Sequence, residues 1–189
     1  IMRIISGKFK GKKIFLPKDL KTRPLKDLTK ESIFNIIQHS NKFKINIYNS
    51  HILDLFSGVG SFGIECLSRG AENVTFVENY QNVLPILKKN LFNLNLNDNF
   101  EILEKNIYEE KLNFSTGYKF DIIFLDPPYK DKNLIIIFEK ILNEKLLKKE
   151  GIIILHRNKK EKDIFPKNFK ILEEKNYGIT KIIFLSCLY

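Results

Sequence analysis

The residues Phe120 to Tyr129, FDIIFLDPPY, carry an apolar run that breaks off at an acid, two prolines and an aromatic ring. Apolar side chains on both parities of such a run mark a strand covered on both faces, as in a parallel sheet. Pro127 and Pro128 remove two backbone donors and set two φ angles, so the chain must leave the sheet there in a stiff corner. In open α/β sheets ligands bind outside the carboxyl ends of the strands. A carboxylate, a backbone carbonyl and a flat ring at that point can grip a planar base by its exocyclic amine. Asp126 and the Pro127 carbonyl would accept the two amine hydrogens while Tyr129 stacks on the base, which makes Asp126, Pro127, Pro128 and Tyr129 the expected catalytic residues. A plain turn behind a core strand would leave the same pattern, so a partner motif is required.

That partner is the turn Leu53-Asp54-Leu55-Phe56-Ser57-Gly58-Val59-Gly60-Ser61-Phe62-Gly63. Gly58, Gly60 and Gly63 satisfy G-x-G-x-x-G between a strand and a helix, and Glu78 ends the next strand, where a carboxylate can accept from two ribose hydroxyls. Glycines needed only for packing the helix on the sheet are the bland alternative. Asp54 selects the ligand: it would repel a dinucleotide pyrophosphate but attract the ammonium and sulfonium of S-adenosylmethionine. Asp54, Phe56, Gly58, Gly60, Gly63 and Glu78 are thus the expected cofactor residues. Asn79 and Tyr80 could flank the adenine or form a surface turn. Asn106 and the Ile107 amide could read the adenine edge, although Asn106 is equally well explained as a helix cap.

These residues must be held by a sheet. Strands are expected at 51–56, 73–78, 100–104, 120–125 and 151–156, alternating with helices at 61–69, 81–95, near Tyr108 and at 133–147, which implies βαβ units and a parallel sheet. Two further strands, 169–174 and 180–185, flank a short turn through Asn176 and Gly178 and favour an antiparallel edge hairpin. Ahead of the sheet, residues 2–16 read as a small hairpin, 18–26 as a basic linker, and 28–38 as a helix capped near Asp27 or Thr29, packed on the sheet edge. The expected fold is a doubly wound, Rossmann-like methyltransferase sheet, mostly parallel, with an N-terminal hairpin extension. Its domains would be 1–27, a basic arm, and 28–189, the methyltransferase body.

At 189 residues the chain suits one domain with a substantial core. Its 32 basic side chains against 22 acidic ones give +10, which favours a polyanionic partner. Only four of the basic residues are arginines, so the sum partly reflects a lysine-rich composition. The distribution says more, because residues 1–30 carry +8 of the total. Arg3, Lys8, Lys10, Lys12, Lys13, Lys21, Arg23 and Lys26 are the expected RNA contacts, on an arm expected to add little to the catalytic pocket. Two cysteines, Cys66 and Cys187, supply neither a disulfide framework nor a metal site, and Cys66 reads as core. No apolar h-region and no run near 20 apolar residues is present, so the expectation is a cytoplasmic, metal-free monomer with Ile1 an extra residue ahead of Met2. His156 ends a strand near the active edge and reads as a structural or surface histidine.

The order glycine turn, ribose acid, D-P-P-Y resembles that of class I amino-methyltransferases. Arg23 to Asn35, RPLKDLTKESIFN, is similar to the R-P-T-x-D-R-V-R-E-x-L-F-N signature of the ribosomal small-subunit methyltransferase D family, and the opening RIISGKFKGKK (Arg3 to Lys13) matches too. The chain departs from that signature at Leu25, Leu28, Thr29 and Lys30, and with Leu28 in place of the arginine the RNA contact that the resemblance implies there is not expected of this chain. The resemblance implies methylation of the exocyclic N2 of one guanosine in 16S rRNA, with the rRNA or a small-subunit assembly intermediate as partner. The rival readings are an adenine-N6 or cytosine-N4 methyltransferase using the same grip, an NAD-dependent oxidoreductase, and a non-catalytic RNA-binding module.

Overall fold

The computed structural model describes residues 2–19, 23–96, 98–115 and 117–189. Among them a two-stranded hairpin, β1 (Met2–Arg3) and β2 (Lys13–Ile14), precedes helix α1 (Asp27–His39). Then follow β3 (His51–Leu55), α2 (Ser61–Ser68), β4 (Asn73–Val77), α3 (Leu84–Phe92), β5 (Phe100–Leu103), β6 (Phe120–Leu125), α4 (Leu134–Asn143), β7 (Leu147–Asn158), β8 (Phe169–Tyr177) and β9 (Thr180–Cys187). One sheet takes the order β5-β4-β3-β6-β7-β9-β8. The first five of these neighbours run parallel, and β9 and β8 close the edge as the expected antiparallel hairpin.

The chain works outward from β3 through β4 to β5, then returns to lay β6 on the other side of β3. This reversal is the switch point of a doubly wound sheet, and it puts the carboxyl ends of β3 and β6 side by side, Asp54 opposite Phe124 and Leu55 opposite Leu125. The glycine turn after β3 and the proline corner after β6 therefore share one crevice.

Both sheet faces are covered, which explains the unbroken apolar runs of β3 and β6. On one face Phe34 of α1 stacks on Phe62 of α2 at 5.4 Å between centroids, and Phe62 stacks on Phe124 of β6 at 4.0 Å. Helix α1 thus lies over the face of the sheet, not on its edge as expected. On the other face α4 buries Leu134, Ile137, Phe138 and Ile141, a helical stripe at i, i+3, i+4 and i+7.

Several boundaries differ from expectation for local reasons. The α1 N-cap is Lys26, in extended conformation and with no side-chain cap; Asp27 sits inside the first turn, 3.7 Å from Lys30. Helix α3 begins at Leu84 because residues 81–83 turn, Pro85 then fixes the start, and Asn95 in the left-handed region lies beyond its end. The segment around Tyr108 is a turn, with the Asn106 side chain accepting from the Tyr108 amide at 3.0 Å. Helix α4 stops at Asn143, Lys145 at φ +49 reverses the chain, and Leu147 already pairs with Phe120.

The hairpin is welded to α2 and α3. Both Glu65 oxygens accept at 2.9 Å, from the Ile5 and Ser6 amides, and Ser68 Oγ accepts from Phe9 N at 2.9 Å. Asn90 accepts from Phe15 N at 2.8 Å and donates to its carbonyl at 3.1 Å. Ile4, Phe9 and Ile14 are buried in the same core as α1 and α2. Lys30 is wholly buried at 3.6 Å from Glu65, and desolvation lowers its pKa against that partner's pull.

Candidate active site

At the end of β3 the Asp54 carboxyl group is buried and accepts from the Gly63 amide at 3.0 Å through Oδ2, while its buried Oδ1 has no partner among the described residues. Burial, then the charges of Asp126 and Glu78, raise its pKa well above the usual carboxylate range. Three acids thus converge on the crevice, which makes it a place for a cation. Glu78 accepts from the Gly58 amide at 2.8 Å and from the Asn79 and Tyr80 amides at 2.9 Å each. The two strand-end acids therefore grip opposite ends of the same glycine turn.

Within the turn, Phe56 is held at φ +57 and Gly58 at φ +55, backbone conformations that non-glycine residues seldom adopt. Gly60 and Gly63 have a packing duty: a Cβ would meet Leu87 at 2.6 Å or the Phe76 ring at 2.3 Å. Asn106 spends its side-chain oxygen on Tyr108 N, and its own amide donates to Glu110 at 2.9 Å. Ile107 is buried, and its carbonyl accepts from Lys140 at 2.6 Å. Asn79 is exposed, whereas Tyr80 donates its hydroxyl to Asp19 at 2.9 Å.

Across the crevice Asp126 is partly exposed and His156 Nδ1 lies 2.9 Å from its Oδ1. His156 is 7% exposed and so is not a surface histidine. Pro127 is buried and Pro128 exposed. The Arg23 guanidinium stands over the Tyr129 ring, 5.1 Å from its centroid. Arg23 and Asp19 thus bring the segment before α1 against Tyr129 and Tyr80.

Sequence reasoning passed over the group that holds the proline corner. Arg157, fully buried at the end of β7, forks onto Asp163 at 2.9 and 2.8 Å and donates to the carbonyls of Pro128 at 3.3 Å and Asp131 at 2.6 Å. Tyr108 donates its hydroxyl to Asp131, and burial with that bond pushes the phenol far up. Two consecutive polar residues, His156-Arg157, directly after the apolar run 152–155 were the available signal.

Of the expected RNA residues, Arg3, Lys8, Lys10, Lys12, Lys13, Arg23 and Lys26 are exposed; Lys21 lies outside the described residues. Lys8 and Lys12 stand over Phe9 at 5.5 and 5.2 Å, and Lys13 and Lys89 over Phe15 at 5.7 and 4.1 Å. Among the described residues no three His, Cys, Asp or Glu side chains group as a metal site, and no helix is long and apolar enough to cross a membrane.

A doubly wound sheet with a glycine turn and an acid-lined crevice at its switch point defines a Rossmann-like methyltransferase. The comparisons agree. The family model described as conserved hypothetical protein 95 matches residues 2–186. The ribosomal RNA small subunit methyltransferase D of Buchnera aphidicola (from Acyrthosiphon pisum) is 35% identical over 91% of this chain and 86% of its own length. That of Haemophilus influenzae is 32% identical over 94% and 90%. Among solved structures, a candidate methyltransferase of Escherichia coli superposes with a TM-score of 0.81 at 26% identity over 98% of this chain and 97% of its own. A candidate methylase of Haemophilus influenzae gives 0.76 at 30% over 99% and 98%. The chain belongs to the ribosomal RNA small subunit methyltransferase D family.

Proposed function

We propose that this chain transfers a methyl group from S-adenosylmethionine to the exocyclic N2 of a guanosine in 16S rRNA, as a cytoplasmic monomer. The observation that carries the reading is the meeting of two things across the switch point. One is the Asp126 corner; the other is the buried Asp54 carboxyl group, one oxygen of which has no partner among the described residues.

The donor set fits such a cofactor. Asp54 offers an oxygen with no partner among the described residues, in a crevice that also faces Asp126 and Glu78; an arriving ammonium would displace the Asp54 proton, whereas a pyrophosphate would meet the other two acids. Glu78 is fixed by three amides yet retains lone pairs for ribose hydroxyls. When bound, the sulfonium supplies an electrophilic methyl group, so the residues here need chiefly to align the nucleophile. Alignment of this kind contributes up to roughly 7–11 kcal/mol. The guanine N2 lone pair is delocalised into the ring; hydrogen bonds from the amine to Asp126 and the Pro127 carbonyl favour pyramidalisation and direct it at the methyl group. The methylated amine is acidic enough to lose its proton without a strong base. Tyr129 holds the unstacked base by its face, as enzymes acting on base atoms require. Residues 1–27 serve as the RNA arm, with the basic hairpin tracking phosphates and Arg23 near the target base.

The test is transfer of tritium from labelled S-adenosylmethionine to small ribosomal subunits, naked rRNA and DNA, followed by nucleoside analysis. N2-methylguanosine in the rRNA is expected. Label in adenine, in cytosine or only in DNA would refute the assignment.

A further inference from the structure

We propose that His156 is a positioning residue for Asp126: its Nδ1 holds one carboxylate oxygen so that the other is presented to the target amine. The inference rests on the role given to Asp126 above and extends it to a residue outside the D-P-P-Y corner.

The sheet register makes the pair. Strands β6 and β7 run in step from Ile122 opposite Ile152 to Leu125 opposite Leu155, so Asp126 and His156 continue that register beyond the last pair. Alternation then sends both side chains to the face of Ile122 and Phe124, away from Leu125. Strand β9 backs the histidine from the other side, with Ile182 opposite it and fully buried. The result is a 2.9 Å contact between Nδ1 and Oδ1, with the histidine side chain 8% exposed and the aspartate 19%. The accessible part of the carboxylate is the part that a ligand in the crevice can reach.

The direction of the bond follows from the acceptor. Asp126 offers only lone pairs when ionised, so Nδ1 carries the hydrogen. Nε2 is buried and has no partner among the described residues. A buried imidazole kept for structural reasons ordinarily satisfies both nitrogens; here the one bond formed goes to the crevice acid. Without it the carboxylate would turn about a broad, roughly two-fold χ2 torsion. An acceptor meant to pyramidalise an amine must hold its plane, since a group supporting chemistry has to stay within ~0.5 Å of its productive place.

Three substitutions separate positioning from mere packing. His156→Leu removes the donor, His156→Asn restores one where Nδ1 stood, and His156→Gln puts it nearer Nε2. Each variant is assayed for methyl transfer to rRNA, for S-adenosylmethionine affinity by calorimetry and for thermal stability. His156→Leu should lower kcat by about 10- to 100-fold, the scale of an ~1 Å misplacement, with KM and cofactor Kd within about threefold of wild type. His156→Asn should recover most of the loss and His156→Gln little. In an Asp126→Ala background His156→Leu should cost nothing further. Wild-type kcat in His156→Leu, equal losses in Leu and Asn, or additive losses with Asp126→Ala would each overturn the proposal. Nitrogen-15 NMR of the imidazole reads the pair without any substrate: a protonated Nδ1 whose resonance moves on Asp126→Ala supports it, and one indifferent to that change overturns it. A wild-type chain that methylates no RNA would count against the function proposed above, while the spectrum still decides the pair.

Discussion

Arg157→Met is the perturbation that best probes how the proline corner is held. Methionine fills similar space but leaves the Asp163 carboxylate, its side chain only 9% exposed, without its fork, and the Pro128 and Asp131 carbonyls without their donor. Glu161, 3.8 Å from the guanidinium, loses a weaker partner. Breaking a buried ion pair from one side typically costs about 3–5 kcal/mol, because the remaining charge stays desolvated. For a domain of this size each kcal/mol lowers Tm by about 2–4 °C, so a fall of roughly 6–20 °C is expected. Adding Asp163→Asn removes the orphaned charge and should return a large part of the loss, giving a coupling of at least ~1 kcal/mol in the double-mutant cycle. Arg157→Lys keeps the charge but cannot fork, and should fall between the two. Urea unfolding at neutral pH measures the wild type, the three single variants and the double variant. A loss below ~1 kcal/mol in Arg157→Met, or no coupling to Asp163, would refute the idea that the guanidinium secures the corner.

Other outcomes follow from the same geometry. Asp126→Ala and Tyr129→Ala should abolish most methyl transfer while leaving S-adenosylmethionine affinity within a few fold, whereas Glu78→Gln should weaken the cofactor; equal loss of cofactor binding in both classes would break that division of roles. Because burial raises the Asp54 pKa, the folded state keeps a proton that the unfolded chain releases. Stability should therefore fall as pH rises above the ordinary carboxylate range, and Asp54→Asn should flatten that slope in urea titrations at pH 5 to 8. An unchanged slope in Asp54→Asn would mean that another group is responsible. Replacing Lys8, Lys10, Lys12 and Lys13 by Ala should weaken RNA binding and flatten its salt dependence by about 0.7 per lost phosphate contact, with cofactor affinity unaltered; an unchanged salt slope would move the RNA surface elsewhere.

Much of the site was legible in the sequence because its constraints are local. Two adjacent prolines must end a strand, and a strand-to-helix turn that places Phe56 and Gly58 at positive φ advertises itself through glycines and a following apolar helix. The alternation of apolar runs with helical stripes likewise announces a parallel sheet, since both faces must be covered. Helix ends were less legible. Leu146 and Leu147 continue the apolar pattern of α4, and only Lys145 in the left-handed region together with the pairing of Leu147 and Phe120 starts a strand at Leu147.

The tertiary structure alone decided which groups support the corner. His156 and Arg157 are consecutive, yet strand alternation points one at the Asp126 side chain and the other at the backbone of Pro128 and Asp131. Neither partner lies within 25 residues along the chain, so no spacing rule could reveal them. The same holds for Arg23, a basic residue in a basic linker until the fold lays it over Tyr129, and for Gly63, whose missing Cβ matters because Phe76 of the neighbouring strand fills that space. Motifs record what a residue's chain neighbours require. A buried donor that must find its acceptor across two strands depends on register and burial, which exist only once the sheet has formed.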